Sequence, residues 1–422
     1  MLRFAPSPTG NMHIGDLRIA ILNYLYAQQK GEEFIVRIED SSKRRNVPGK
    51  DEEFLMILEK FALPHAQLYY QNENLHIHQT LAIRLLEENK AFICLCQEDE
   101  ETQESKYSGA CENITTTQLA KLKEEKTPFV LRLRRPQEDI VIDDLIKGES
   151  INSPDAIDSF VIMYADGSVS ELFATACDDM LSGVKTIMRE DKHLNSTPKE
   201  HHIQKMLGYS EETTYIHLPT LLSSDDKKMS ENPILVKSLL EEGYLPDAII
   251  NYLIAIGHET AQKIFTLPEA IEWFDIQKVL ATPQFDSETL RSINREHLRM
   301  MEDKKLSSLF GFADSDIGKL AKVYLDEVST INELKSKIEP IFAKKECSGE
   351  WGELMATLQK LIIEAPMFTE FDAFKAYLIK HSKLDEKSLM IPLRLLMTGV
   401  EDEVELNKIY PFIKSYITEV VA

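Results

Sequence analysis

The first residues with the chemistry to bind a ligand are His13 and Gly15. A segment broken by two prolines and a glycine precedes them, and apolar residues then recur at three- and four-residue steps over 16–30, the period of a helix with one buried stripe. The free N–H groups at a helix N-terminus favour bound phosphate, and a glycine lets a flat base approach the main chain. A lone histidine is more often an ordinary surface or capping residue. In this combination, His13 would add a donor, and the pattern predicts a nucleotide-phosphate site.

The elements that must position this site are a strand, a loop, a helix and a second strand. Helical spacing at residues 16–30, 50–61 and 74–90 alternates with β-rich runs at 34–39, 91–95 and 128–134. This alternation predicts an α/β fold with a parallel sheet. Residues 160–163 and the segment 177–189 are expected to return strands to the same sheet. After about residue 245 the apolar spacing is helical almost throughout.

Two segments together point to a known family: the run from Arg3 to Gly15, and the strand end Arg37-Ile38-Glu39-Asp40. At this spacing they resemble the first motifs of the class I aminoacyl-tRNA synthetases and, within them, the bacterial glutamyl-tRNA synthetases. The resemblance covers roughly the first three hundred residues. It implies that His13 and Gly15 act in catalysis and bind ATP together with Thr9. It also implies that Arg3, Ala5, Ser7 and Glu39 bind glutamate.

Two later segments match the family in part. The family's Pro-Thr-Tyr-Asn-Phe-Ala is replaced by a run with Glu171 at the tyrosine position, although the following Asp178-Asp179 pair matches. A carboxylate there would repel a glutamate substrate by ~4 kcal/mol at ~4 Å and an effective dielectric of ~20, unless it is protonated or turned away. Arg189 also matches. The resemblance implies that it binds the substrate, where its guanidinium would donate two hydrogen bonds to a carboxylate.

The second ATP motif of the family is altered in this chain. Lys228, Met229 and Ser230 match its Lys-Met-Ser-Lys-Arg, so the resemblance assigns all three to ATP and Lys228 to catalysis, but Glu231 replaces the second lysine. The loop is also about two residues shorter than the family's. Losing one preorganised charge contact commonly costs ~10²- to 10³-fold in rate. Lys227 or Lys228 would partly substitute, and a degraded loop with no catalytic role is the alternative.

The order of these segments predicts the domain organisation. Residues 1–90 and 159–222 form the two halves of a Rossmann-like nucleotide-binding core, 91–158 form an inserted α+β domain, and 223–300 and 301–422 form all-α C-terminal domains. The resemblance implies that the insert binds the acceptor stem of tRNA. It also implies that residues 223–300 contact the stem and carry the second ATP loop, and that residues 301–422 bind the anticodon.

The insert carries a candidate metal site made of Cys94, Cys96, Tyr107 and Cys111. Three thiolates and one phenolate could form a tetrahedral zinc site. Some bacterial glutamyl-type enzymes place zinc here with a Cys-x-Cys pair, a later cysteine and a tyrosine or histidine, and Asn113 occupies the position where that histidine would stand. The alternative is a group of buried free thiols in a small β-rich insert.

Composition favours a large globular protein of the cytoplasm. The 422 residues are 43% apolar, which suffices for several cores, and five cysteines, an odd number, indicate a reducing compartment. No apolar run reaches the length of a membrane span, and the first residues lack the pattern of a signal peptide. A net charge of −22 suppresses nonspecific RNA binding, so tRNA contacts must rest on basic clusters at residues 43–45 and 132–135, for which a solvated face is the alternative.

The implied activity has two steps: glutamate attacks the α-phosphate of ATP, and the adenylate then acylates the 3′ end of tRNA(Glu), tRNA(Gln) or both. Magnesium would accompany ATP, and such enzymes are often monomers. Glu171, Glu231 and the short loop keep a second function open, a catalytically impaired protein that binds tRNA or nucleotide. A third is glutamylation of a modified tRNA base, by enzymes that share the cysteine pattern and lack the C-terminal helical region.

Overall fold

The computed structural model describes residues 1–42, 44–96, 107, 109–114, 118, 124–125, 127–225, 227–229, 231–260, 262–279, 282–401 and 405–422. The chain divides into two compact units. The first comprises Met1–Lys237 and Leu253–Asp286, and the second comprises Ser238–Tyr252 and Ser287–Ala422. The five-part division expected from the sequence is finer, and its boundaries stay predictions. None of the helices in the described residues is long and apolar enough to cross a membrane.

A large sheet is the framework of the first unit. Its strands are β1 (Leu2–Phe4), β2 (Phe34–Ile38), β3 (Leu68–Tyr70), β6 (Ile140–Asp144), β7 (Gly148–Asn152), β9 (Thr186–Glu190) and β10 (Thr214–Leu218). The seven strands lie in the order β3-β2-β1-β9-β10-β6-β7, and every neighbouring pair is parallel except β6 with β7. β1, β2 and β9 are buried along their whole length, as expected of strands covered on both faces. The predicted parallel α/β sheet is confirmed.

A small antiparallel sheet accompanies it, made of β4 (Ala91–Cys94), β5 (Val130–Leu133) and β8 (Val161–Met163) in the order β4-β5-β8. The expectation that residues 160–163 return to the large sheet was therefore wrong. The large sheet is instead extended by β6 and β7, where Asp144 pairs with Tyr215 of β10. A three-residue apolar strand fits the surface of either sheet, and its periodicity carries no information about its partner.

Besides short 3₁₀ turns, the other elements of the described residues are helices. In order they are α1 (Ile14–Lys30), α2 (Lys50–Lys60), α3 (Leu75–Glu87), α4 (Pro154–Ile157), α5 (Glu171–Leu181), α6 (Thr197–Met206), α7 (Val236–Glu241), α8 (Pro246–Ala255), α9 (Leu267–Trp273), α10 (Ser287–Met300), α11 (Asp303–Ser308), α12 (Ser315–Val323), α13 (Ile331–Phe342), α14 (Gly352–Glu364), α15 (Phe371–Ser382), α16 (Glu386–Thr398), α17 (Leu406–Ile413) and α18 (Ile417–Val421). Short 3₁₀ turns occur at Gln71–Asn74, Asp191–His193, Ile276–Lys278, Tyr324–Asp326 and Lys414–Tyr416.

The second unit is helical, as its apolar spacing predicts. Its helices bury one continuous core, which includes Leu320, Leu334, Leu358, Leu393 and Ile409. Each of these side chains is fully buried, and each comes from a different helix, so no single helix of this unit buries its apolar face alone.

Candidate active site

His13 caps α1, the helix predicted to begin the nucleotide site. Its Nδ1 accepts the backbone N–H of Asp16 at 3.1 Å, and the Asp16 carboxylate accepts the His13 backbone N–H at 3.2 Å, which forms a capping box. Because Nδ1 is the acceptor, a neutral ring carries its proton on Nε2. The Nε2–H group is thus left as a donor beside the N-terminus of α1. The predicted position of His13 is confirmed, and a capping role accounts for part of its chemistry.

Gly15 is required by the same arrangement. A Cβ at this position would lie 2.9 Å from the His13 Nδ1 and 3.5 Å from the Glu190 Oε1. The first distance is a clash, so a side chain here would displace the histidine ring. Gly15 therefore keeps the main chain open where α1 begins, between His13 and the carboxyl end of β9.

The two predicted ATP segments lie against one another. The Ile14 N–H donates to the Ile234 carbonyl at 3.0 Å, and the Val236 N–H donates to the Met12 carbonyl at 3.1 Å. The Met229 side chain is 1% exposed, and its sulfur accepts the Ile234 N–H at 3.2 Å. The backbone of the first motif is thus paired with the segment that follows the second one, just before α7.

Within the second motif, Lys228 is the lysine whose side chain is available. It is exposed, and within the described residues it has no ion-pair partner, whereas the Lys227 ammonium lies 3.1 Å from the Asp225 carboxylate. The chain turns directly after it, because the Glu231 N–H donates to the Lys228 carbonyl at 2.8 Å. Ser230, predicted to bind ATP, lies outside the described residues.

A buried charge network lies at the carboxyl ends of β1 and β2. Arg3 Nε donates to both oxygens of Asp179 at 3.0 and 3.3 Å, and Arg37 donates to Asp179 and, at 2.9 Å, to Glu39. The Thr175 hydroxyl donates to the same Glu39 oxygen at 3.0 Å. Burial alone would raise the pKa of Asp179, but the two guanidinium groups lower it to about 2. Asp179 is therefore an anion at neutral pH, and it orients both arginines.

The network leaves charged atoms for a ligand. Arg3 is only 3% exposed, yet its Nη1 and Nη2 have no hydrogen-bond partner within the described part of the chain and stay open to water. One Glu39 oxygen likewise accepts no bond from a described residue. A guanidinium and a carboxylate offered together match the two charges of an amino acid. Ala5, Ser7 and Thr9 lie in the loop after β1, with Ser7 and Thr9 exposed.

Arg189 lies on β9 and is already paired. Its Nη1 donates to Glu200 at 2.9 Å, its Nη2 donates to the Thr197 hydroxyl at 2.8 Å, and the same Nη2 lies 2.8 Å from the second Glu200 oxygen. Burial lowers the pKa of Arg189, but the Glu200 carboxylate outweighs this and raises it. Nothing in the sequence marked Glu200 as a functional residue, because its only signal is a place in the first turn of α6.

A further polar chain holds Thr197 in place. The Thr197 hydroxyl lies 2.8 Å from the His217 Nε2, and the His217 Nδ1 lies 2.7 Å from the Asp144 carboxylate. All three side chains are buried, and they come from α6, β10 and β6. Such satisfied buried networks fix the relative position of the elements that carry them. This network was not visible in the sequence.

Glu171 does not bring a second carboxylate into this network. It is the first residue of α5, its side chain is 55% exposed, and it pairs with Arg45. An acidic residue is favourable in the first turn of a helix. Thr175, one turn further along α5, is the residue that reaches Glu39. The repulsion that the sequence suggested is avoided because the Glu171 carboxylate is turned away.

The predicted metal residues are close together. The Cys94, Cys96 and Cys111 sulfurs all lie within 4.8 Å of one another, and those of Cys96 and Cys111 are 3.7 Å apart. Tetrahedral zinc with Zn–S bonds of ~2.3 Å places its sulfurs ~3.8 Å apart, so the thiols fit this ion. The Tyr107 hydroxyl accepts the Cys111 N–H at 2.6 Å. Burial raises the pKa of the Cys96 thiol to about 11, which means that a metal must displace its proton.

One basic cluster differs from the expectation. Arg132 is 3% exposed and donates to Cys94 and to the Ser159 carbonyl, so its assignment to a tRNA-binding surface was wrong. Arg135 is exposed and lies 3.0 Å from Asp155. Lys43 of the other cluster lies outside the described residues. Charge in a sequence does not reveal whether an arginine faces solvent or a buried partner.

Known proteins resemble the whole chain. The family model "tRNA synthetases class I (E and Q), catalytic domain" matches residues 1–292. A glutamate–tRNA ligase 2 of Sulfurovum sp. is 56% identical over 429 residues, and another of Sulfurimonas denitrificans is 44% identical over 434 residues, each with 100% of both chains covered. A crystal structure of a glutamate tRNA ligase from Elizabethkingia meningosepticum, in complex with its amino acid, shares the fold, with a TM-score of 0.83 and 24% identity over 100% of this chain and 98% of that chain. The chain therefore belongs to the glutamate and glutamine (E and Q) family of class I tRNA synthetases.

Proposed function

We propose that this chain is a glutamate–tRNA ligase, which activates glutamate with ATP and transfers it to the 3′ end of tRNA. The observation that carries the proposal is the backbone pairing of Met12 and Ile14 with Ile234 and Val236, which joins both ATP segments in one place. The full-length relatives that bear this name are 44–56% identical and cover the chain from end to end. Their names, the family and the geometry agree on one reaction.

The ATP-binding roles follow from the charges on the first motif and the loop. The α1 N-terminus and the His13 Nε2–H would bind phosphate oxygens, with Thr9 beside them. Gly15, which has no side chain, would let the adenine base approach the main chain. The exposed Lys228 ammonium would stabilise charge on the α-phosphate as pyrophosphate leaves, and Met229 anchors its loop. ATP would bring Mg²⁺. Little covalent chemistry falls to the protein, which positions the reactants.

The glutamate-binding roles follow from the buried network. Arg3 Nη groups would bind a carboxylate of the substrate and the open Glu39 oxygen its ammonium group, with Ala5 and Ser7 in the loop above them. Arg189 is proposed as a second carboxylate ligand, in competition with Glu200. The substrate must share or displace a carboxylate that already holds both ends of this guanidinium.

Zinc is proposed for the site of Cys94, Cys96, Cys111 and Tyr107. The sulfur separations suit the ion, and four ligands without an open position would make the zinc structural. The ion would link β4, which ends at Cys94, to Tyr107 and Cys111, which lie outside the strands of the small sheet. The tRNA acceptor-stem and anticodon contacts, the monomeric state and the cytoplasmic location stay predictions from the sequence, as does the choice between tRNA(Glu) and tRNA(Gln).

Exchange of pyrophosphate into ATP tests the reaction. We expect the full-length protein to catalyse glutamate-dependent exchange. The assay is run without tRNA, with tRNA(Glu) and with tRNA(Gln). A non-catalytic protein that binds tRNA or nucleotide is the second candidate, and Glu231, at the position of the family's second lysine, favours it. No exchange under any condition, with tRNA still retained on a filter, would establish that candidate. Exchange restored by Glu231→Lys alone would trace the loss to this loop.

A further inference from the structure

Arg132 lies in the wall of the proposed zinc site. In the β4–β5 pair, Cys94 stands opposite Val130 and Phe92 opposite Arg132, so Cys94 and Arg132 are diagonal neighbours on one face of the sheet. The Arg132 Nε–H donates to the Cys94 sulfur at 3.3 Å. The guanidinium carbon lies 4.5 Å from the centroid of the Tyr107 ring, and the Nη1–H donates to the Ser159 carbonyl at 2.9 Å. One side chain thus touches two of the four proposed ligands.

We propose that Arg132 is a positioning residue for the metal, which orients Cys94 and Tyr107 and balances the charge of the loaded site. The inference rests on the proposed zinc site and extends it to a residue that does not bind the ion. Partners in the second layer commonly orient metal ligands and tune their basicity.

The charge balance explains why a cation is needed here. Three thiolates and one phenolate bring four negative charges and zinc two positive ones, which leaves an excess of two negative charges. The ligands lie in a small apolar cluster with Phe92, Ile114 and Val130, where uncompensated charge is unfavourable. Arg132, at 3% exposure, brings the one positive charge that directly contacts the ligands among the described residues.

The geometry also explains why the cation is an arginine. These three contacts use different parts of the guanidinium group. Its Nε edge donates to the Cys94 sulfur, its Nη1 edge donates to the Ser159 carbonyl, and its face lies on the Tyr107 ring. A planar fork satisfies all three together, whereas the ammonium of lysine is a point charge without a face to stack. The site therefore depends on the shape of Arg132 as well as on its charge.

The test compares metal binding by the full-length protein and three variants. Zn²⁺ affinity is measured by competition with a coloured chelator, and Co²⁺ absorption reports the thiolate ligand field. In Arg132→Gln we expect ~10- to 100-fold weaker Zn²⁺ binding and a shifted Co²⁺ spectrum. Arg132→Lys keeps the charge and loses the stack, so its affinity should be intermediate. Arg135→Gln is the matched control, since Arg135 is exposed and pairs with Asp155, and it should match wild type.

A folding defect is separated from a binding defect by the lysine variant. Thermal unfolding is measured for the metal-free and the Zn²⁺-loaded Arg132→Lys protein. Zn²⁺ should raise the Tm of this variant by less than it raises the Tm of wild type. Wild-type affinity and wild-type Co²⁺ absorption in both Arg132 variants would overturn this inference and leave the zinc site standing. If wild type binds neither metal, the zinc site and this inference both fail, while pyrophosphate exchange still reports the ligase reaction separately.

Discussion

Replacing Asp179 by asparagine tests whether one buried carboxylate holds the proposed amino-acid site together. Asp179 is fully buried between Arg3 and Arg37, which lower its pKa from about 3.8 to about 2 against the effect of burial. At 1.36 kcal/mol per pKa unit, this difference contributes about 2 to 3 kcal/mol to folding. The contribution is complete above pH ~4 and is lost as the pH falls through ~2, because protonation then removes the anion from the native state.

The variant leaves two buried guanidinium groups without their shared anion. We expect it to lose about 3–5 kcal/mol of stability at pH 7, the usual effect of breaking a buried ion pair. The difference from wild type should shrink by about 2 to 3 kcal/mol toward pH 2, because wild type loses its own carboxylate there. The KM for glutamate should rise ~10-fold or more, since Arg3 and the Arg37–Glu39 pair lose their common anchor.

The assay uses the two tryptophans of the chain, Trp273 in the first unit and Trp351 in the second. In a Trp351→Phe background, Trp273 fluorescence follows urea unfolding of the first unit alone, at pH 7 and at pH 3 or below. Asp143→Asn removes an exposed carboxylate from β6 and should change little at either pH. A loss below about 1 kcal/mol in the Asp179 variant, or a loss that stays constant with pH, would refute the assignment of Asp179 as the buried anion.

Substitutions at three other sites have distinct outcomes. Gly15→Ala places a Cβ 2.9 Å from His13, so kcat/KM for ATP should fall ~10²-fold in pyrophosphate exchange while KM for glutamate holds. Glu200→Gln removes the competitor for Arg189 and should lower KM for glutamate ~10-fold; an unchanged KM would mean that Arg189 does not touch the substrate. Lys345, just after α13, donates to the backbone carbonyls of Pro340, Ile341 and Ala343 at the end of that helix. Lys345→Met should therefore destabilise the second unit by about 2 kcal/mol in Trp351-detected urea unfolding, and no change would deny it a capping role.

The parts of the fold that follow from local patterns could be predicted from the sequence. The helix expected at residues 16–30 is α1, Ile14–Lys30, and the strand expected at 34–39 is β2, Phe34–Ile38. Both depend on spacing and end signals within one segment, such as the capping box at His13 and the left-handed Gly31 with φ of +63° that ends α1. Whether each of these segments forms a helix or a strand is thus decided mainly by its own residues.

Strand partners could not be predicted in the same way. β8 joins β5 in the small sheet, and β6 reaches the large sheet through the single register pair of Asp144 with Tyr215. These pairings depend on how distant apolar surfaces meet, and the same three- to five-residue runs would suit several neighbours. Asp144 is also bound to His217, so β6, whose residues were predicted to lie in the insert, is fastened to β10 by a side-chain contact absent from any motif.

The arginines show most directly what the sequence leaves undecided about the site. Arg3, Arg132 and Arg189 all appear as ligands for substrate or tRNA when only type and spacing are known. In the folded chain all three are buried, but Arg132 and Arg189 donate to sulfur, carbonyl, hydroxyl and carboxylate groups of the protein, while Arg3 keeps its two Nη groups open to water. A guanidinium whose Nη donors have no partner among the described residues can donate to a ligand without giving up a hydrogen bond to that part of the chain. Of the three, Arg3 is thus the one that keeps donors for a bound carboxylate, and it is the residue on which the proposed recognition of glutamate should chiefly depend.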